Sequence, residues 1–391
     1  MQTRIIRQYY TLSFMFSVGG MSIISAIYAT FLLKHGLSLL EVNIVNAIFY
    51  VTLFTCEIPT GAFADIFGRK ASFVAACVLM GLGMFVYGSS ETIVGFIVAE
   101  MISALAHTFR SGAFQAWLVD NLKHYGYEGE FNRIFGRESL INKIGGGFGA
   151  VLGSYLLQYN SAFPFYFGGS MVLLCAVISL FVMKEEYFVR GHISFKNGFV
   201  SMRNIMTSSI RYGVNDKAVR FILVLTGIQI FAVQALNMYW QPFFSAKGLV
   251  EVHLGYLYNG MMIFLALGAG LASRFLIVGK EKFVIVLLHA SIGLLIVITT
   301  MFANTNMIIL LFLLHEVPRG CLGPYMDNYL HKRIPSNERA TIISFSSIAH
   351  HVGGTIGLLV SGLIAQSFGI SSAWIVSGLF LLIGSLIMVR R

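Results

Sequence analysis

Apolar positions in this chain fall into long blocks, and short charged segments divide the blocks at near-regular intervals. A helix needs about 20 apolar residues to cross the hydrocarbon core of a bilayer. Twelve runs approach that length: 10–33, 39–63, 71–89, 91–119, 134–158, 163–183, 219–242, 252–273, 283–302, 306–330, 340–366 and 371–389. The pattern predicts an all-α membrane protein of twelve transmembrane helices. The fourth and eleventh runs carry the most polar residues, so part of each is expected to face something other than lipid.

Composition agrees: 57% of the residues are hydrophobic, 11% are charged and the mean hydropathy is +0.77. The net charge of +10 has a topological origin. With a cytoplasmic N-terminus, 22 of the 27 Lys and Arg residues fall in cytoplasmic segments, Lys34 and Lys247 fall outside, and Arg110, Lys143 and Arg319 lie within spans. Both termini are therefore expected in the cytoplasm of a multi-pass plasma (inner) membrane protein. Basic residues spread over alternate loops do not form the single soluble face that nucleic-acid binding needs. The first run is too long for a signal peptide and lacks an Ala-x-Ala site. Cys56, Cys77, Cys175 and Cys321 fall inside runs at unrelated spacings, which suits packing better than disulfides or metal ligation.

The sequence repeats itself. Gly145-Gly146, Gly149 and Gln158 recur 208 positions later as Gly353-Gly354, Gly357 and Gln366. Asp120-Asn121 recurs 207 later as Asp327-Asn328, and Gly61 matches Gly270 at 209. The duplication predicts two parallel six-helix halves, 1–183 and 219–391, joined by a cytoplasmic linker over 184–218 that has the residues of an amphipathic surface helix. Gly145, Gly149 and Gly153 lie on one helix face, where backbones could approach closely, in a sliding interface or in a static bundle.

Charge inside the predicted spans is the main functional signal. An insertion scale assigns roughly 2.5–3.5 kcal/mol to an ionised group at a helix centre, so such groups are expected to meet water or partners. At 100° per residue, Glu100, Ser103, His107, Arg110, Ser111 and Phe114 share one face of helix 4. In helix 10, His315, Glu316 and Arg319 repeat the theme, Glu316 and Arg319 are spaced to pair, and Pro318 and Pro324 predict a kink. Helix 2 offers Asn43, Asn46, Tyr50 and Glu57, helix 7 offers Gln229, Asn237 and Trp240, and helix 11 offers Ser347, His351 and Thr355. Glu100, Glu316, His107 and His315 are the candidates for carrying a proton, Glu100 first. Arg110, Arg319, Asn43, Asn46, Tyr50, Phe114, Gln115, Gln229, Asn237, Trp240 and His351 are the candidates for binding solute in a hydrated pocket. The alternative is that the charges are ion pairs that hold helices together. No nucleophile and base set, metal cluster or phosphate loop stands out, which argues against an enzyme or an ATP-driven pump.

Three segments carry a resemblance. Gly61-Ala62-Phe63-Ala64-Asp65-Ile66-Phe67-Gly68-Arg69-Lys70 resembles the loop between helices 2 and 3 of the major facilitator superfamily. Ser111-Gly112-Ala113-Phe114-Gln115-Ala116-Trp117-Leu118-Val119-Asp120 and Arg339-Ala340-Thr341-Ile342-Ile343-Ser344 resemble helix 4 and helix 11 segments of its bacterial efflux-type, drug/proton antiporter-like branch. Relatives often carry Glu where Gln115 stands, and Arg110 lies two residues from the position of an antiporter arginine. The resemblance implies the two-bundle major facilitator fold and a cytoplasmic latch made of Gly61, Asp65, Gly68, Arg69, Lys70 and Asp120. In that latch, Asp65 would lie against the positive end of a helix and Arg69 would pair with Asp120. It also implies proton-coupled efflux of a small amphiphilic or charged organic solute by a monomer, without a cofactor. The alternative is transport, in either direction, of a specific carboxylate-bearing metabolite or siderophore-like chelator.

Overall fold

The structure, a computed structural model, describes residues 1–188, 217–275, 277, 279–332 and 339–389. Most of the 184–218 linker, the side chain of Ser347 and the 339–344 side chains lie outside the described residues. In chain order the helices are α1 (Gln2–Gly19), α2 (Tyr28–Lys34), α3 (Leu39–Phe67), α4 (Arg69–Ser89), α5 (Ile93–Arg110), α6 (Ala113–His124), α7 (Phe131–Leu156) and α8 (Phe163–Val182). They continue with α9 (Lys217–Ala246), α10 (Glu251–Arg274), α11 (Glu281–Met301), α12 (Thr305–Leu314), α13 (Glu316–His331), α14 (Arg339–Phe368) and α15 (Ile370–Val389). No strand occurs among the described residues.

Among the described residues, ten spans are long and apolar enough to cross a membrane, counting α5 with α6 and α12 with α13 as one each. An eleventh is the first span, which bends by 44° between Gln2–Ile24 and Tyr28–Lys34. Helix α7 has the length, at 26 residues, but carries Arg133, Arg137, Glu138 and Lys143 along its first half. The helical, membrane-spanning architecture is the one the hydropathy pattern predicts.

The chain forms two compact units. The first comprises Met1–Phe31, Ile48–Ser201 and Val250–Tyr258, and the second comprises Leu32–Ala47, Met202–Leu249 and Asn259–Arg391. The units thus depart from a plain division at the linker by two short segments. The start of α3 belongs to the second unit, where Tyr239 Oη donates to the Leu39 carbonyl at 3.0 Å. The start of α10 belongs to the first, where Ser154 Oγ donates to the Val252 carbonyl at 3.2 Å and the Tyr155 and Tyr256 hydroxyls meet at 2.8 Å.

Within the first unit, α4 packs between α5 and α8, and α7 lies along α1. The glycine face of α7 makes the second contact possible: a Cβ on Gly149 would stand 2.6 Å from the Val18 carbonyl oxygen, and one on Gly153 would collide with that of Ile23. The predicted close-approach face is therefore buried inside one unit, at the bend of the first span.

Candidate functional site

Helix α5 stops at Arg110 because Gly112 takes φ +74°, a left-handed conformation that suits glycine. Ser72 Oγ donates to the Phe109 carbonyl at 2.7 Å and Ser111 Oγ to that of Thr108 at 3.2 Å, so the carbonyls at the break keep partners. Beside the break, the Arg110 guanidinium lies over the Phe16 ring, 4.6 Å from its centroid, and 4.0 Å from Glu138 Oε1. Glu138 is buried on α7, and the same oxygen accepts from Ser13 Oγ at 3.0 Å and Asn142 Nδ2 at 2.7 Å. Arg110 Nε is buried without a hydrogen-bond partner, while the side chain as a whole is 25% exposed.

The second unit breaks its corresponding helix at His315. Pro318 has no N–H, and α13 starts at Glu316 so that Pro318 falls in its first turn, where that N–H would have no intrahelical partner. Glu316 is fully buried, and its Oε1 takes Arg319 Nη1 at 3.0 Å with His315 Nε2 at 3.5 Å. Arg319 Nη2 donates to Asn237 Oδ1 at 3.2 Å and the side chain is 24% exposed. Glu316 Oε2 and His315 Nε2 have no hydrogen-bond partner among the described residues. The Glu316–Arg319 pair is where the sequence predicts it and the helix breaks just before Pro318, but Pro324 lies inside an uninterrupted α13. Arg110 and Arg319 stand 209 positions apart, in register with the duplication.

Other expectations require correction. Glu100 does not face a hydrated pocket: it is fully buried and accepts from the hydroxyls of Tyr87 and, at 3.3 Å, Tyr28. The predicted polar face of helix 4 is split by the break, with Glu100, Ser103 and Phe114 buried and His107, Ser111 and Gln115 exposed. Phe114 is core, stacked on Tyr9 at 4.5 Å and Phe73 at 4.1 Å. Asn43 is fully buried, and its amide donates to the Leu358 carbonyl at 2.6 Å and to Ser361 Oγ at 3.0 Å, binding α3 to α14 within the second unit. Trp240 is buried, and Asn46, Tyr50, Gln229, Asn237 and His351 are half-buried.

The Gly61–Lys70 segment is not an extended loop. Helix α3 runs on to Phe67, α4 starts at Arg69, and the turn is the single residue Gly68, at φ +99°. Arg69 pairs with Asp65 at 2.7 Å, across the turn at Gly68, rather than with Asp120. Asp120 is half-buried on α6 and Gly61 is exposed on α3. The carboxylate at the start of α4 comes from elsewhere: Glu185 Oε1 accepts the Lys70 backbone N–H at 2.9 Å, and Lys70 Nζ donates to the Leu180 carbonyl at 2.7 Å. Burial pushes the Glu185 carboxyl above the usual carboxylate range, opposed by the Lys70 and Arg69 amides.

Sequence reasoning overlooked Glu138 and Glu185. Glu138 carried a usable signal, an acid inside a predicted span. Glu185 carried none, because its partner is 115 residues away.

The sequence profile of the Major Facilitator Superfamily matches residues 10–298 and 277–391. The MFS-type transporter YxaM of Bacillus subtilis is 25% identical over 93% of this chain and 90% of its own length. The MFS-type transporter MJ1560 of Methanocaldococcus jannaschii is 25% identical over 97% and 96%, and the multidrug resistance protein MdtH of Blochmanniella pennsylvanica 24% over 78% and 71%. Among solved structures, the nucleoside transporter NupG superposes with a TM-score of 0.80 at 14% identity, covering 99% of this chain and 98% of that one. The human organic anion transporter MFSD10 gives 0.65 at 12% identity, with 99% of each chain covered, and at such identities both likenesses speak for the fold alone. With the profile spanning nearly the whole chain and the duplicated helical fold shared, this protein belongs to the major facilitator superfamily.

Proposed function

We propose that this chain is a secondary active transporter that moves a small amphiphilic or charged organic solute across the plasma membrane by alternating access, exporting it in exchange for protons. One observation carries the reading: each unit holds, at the break of a membrane-spanning helix, an arginine that is about a quarter exposed and paired with a buried carboxylate. A static brace gains nothing from exposure. A solute site needs charge that water can reach and that a ligand can claim from its internal partner. The efflux direction is supported by the multidrug-resistance names of several relatives, and cytoplasmic termini by the 22 basic residues on one side.

Glu316 suits proton coupling better than Glu100. One of its oxygens holds Arg319, and the other is buried without a partner among the described residues. Protonation would neutralise Glu316 and free the guanidinium. A solute anion could then claim the released Arg319. Glu100, between two tyrosines, reads as part of the helix packing.

The test is counterflow and gradient-driven flux in proteoliposomes with a panel of solutes, with and without an imposed pH gradient. Solute movement driven by the gradient supports the reading. Solute binding without flux, or flux indifferent to the gradient, would reject coupled transport.

A further inference from the structure

We infer that the transported solute is an organic anion and that Lys143 is one of the residues that bind it; this deepens, and rests on, the transport reading above. Lys143 sits at the midpoint of α7, twelve residues from Phe131 and thirteen from Leu156. At 1.5 Å per residue that is roughly 18 Å from either end of the helix and about 9 Å beyond Arg137, within the predicted span 134–158. The side chain is exposed, and among the described residues it has no ion pair or hydrogen bond.

The helix decides what that exposure means. At 100° per residue, Lys143 lies within about 20° of Ala150 and Ser154. Those two residues are buried, and a Cβ on Gly255 would press on both. The lipid-facing stripe of α7 is a different one: Leu140, Ile144 and Phe148, all exposed, centre about 100° away. Glu138 and Asn142 point away from Lys143, toward Ser13 on α1. Lys143 therefore extends a face that is covered by protein further along the helix, and an ammonium exposed there within a span needs water or an anion.

Charge balance gives the sign of the ligand. In the first unit Arg110 is matched by Glu138 and Glu100 is buried with Tyr28 and Tyr87, so neither carboxylate is engaged by Lys143. The duplicated position, 208 residues later, is His351, so a permanent cation stands only in the first copy. A carboxylate or phosphate on an otherwise apolar solute would satisfy Lys143.

Purified full-length protein is offered naphthoate, naphthyl phosphate, naphthol and a naphthylmethyl-trimethylammonium salt, which share a ring system and differ in charge. Binding is read by thermal stabilisation and transport by counterflow. Wild type is expected to bind an anionic probe, Lys143→Gln to bind it about tenfold more weakly with unchanged response to naphthol, and Lys143→Arg to restore it. Unchanged melting of unliganded Lys143→Gln shows that the fold is intact. A wild type that binds neither anion or prefers the cation overturns the inference, as does a Lys143→Gln protein that binds the anion as tightly as wild type. Anion binding that depends on Lys143 but is never accompanied by counterflow upholds the site and rejects the transport reading instead.

Discussion

Arg110 stands 4.0 Å from Glu138, yet the carboxylate oxygen it faces is already engaged by Ser13 and Asn142. Glu138 is thus held in place by neutral donors, whether or not the arginine stays. Arg110 is free to exchange one anionic partner for another at little cost to the packing. The corresponding pair in the second unit is closer, at 3.0 Å between Arg319 and Glu316, and involves residues of one helix.

A double-mutant cycle on Arg110→Ala and Glu138→Gln should give a coupling of about 1 kcal/mol, because a pair with one partner a quarter exposed is partly screened. Arg110→Ala should lose solute counterflow while keeping most of the stability. Denaturant unfolding and proteoliposome flux measure the two effects. A coupling of several kcal/mol would make the pair a structural brace.

Gly68→Ala should destabilise the chain by about 1–3 kcal/mol, since φ is +99° and the new Cβ would meet Glu185 Oε2. Removing that carboxylate in Gly68→Ala/Glu185→Ala should recover the clash but not the backbone strain. Melting of the four proteins decides this, and full recovery would show that the left-handed turn carries no strain.

The raised carboxyl of Glu185 has a consequence for pH. The folded protein holds this proton more tightly than the unfolded chain, so ionisation costs stability as pH rises from the ordinary value of 4.5 through the raised one. Relative to Glu185→Gln, wild type should lose stability over that rise and be level with it below. Paired melting curves from pH 4 to 8 test the sign, and a wild type that gains on the variant as pH rises would contradict it.

Gly153→Ala should lower the folded yield and cost about 1–3 kcal/mol or more, because the Ile23 carbonyl occupies the space a methyl group needs. Gly136→Ala, with nothing within 4 Å of its new Cβ, should fold normally. Size-exclusion profiles and melting points compare the two. Equal behaviour would mean that α7 and the segment around Ile23 do not touch as described.

Glu316→Gln should uncouple flux from the pH gradient while leaving counterflow, and Glu100→Gln should leave both in place apart from a loss of stability. Gradient-driven and exchange assays on the same vesicles separate the roles. If Glu100→Gln alone abolishes the gradient response, the buried tyrosine-bound acid is the proton carrier after all.

The sequence by itself determined the helices, their number within a span or so, the duplication and the break in helix 10, because hydropathy, proline chemistry and internal repetition are local or periodic properties. It also determined that Glu316 could meet Arg319, three residues along one helix. Only the tertiary structure decided which charges are reachable. Helical spacing put Glu100 and Arg110 on one face of a single helix, but the tyrosines of two other helices sealed Glu100, while Arg110 at the end of α5 stayed a quarter exposed. Arg69 found Asp65 and the start of α4 found Glu185 for the same reason: pairing depends on distance in space, and 115 residues of chain conceal it.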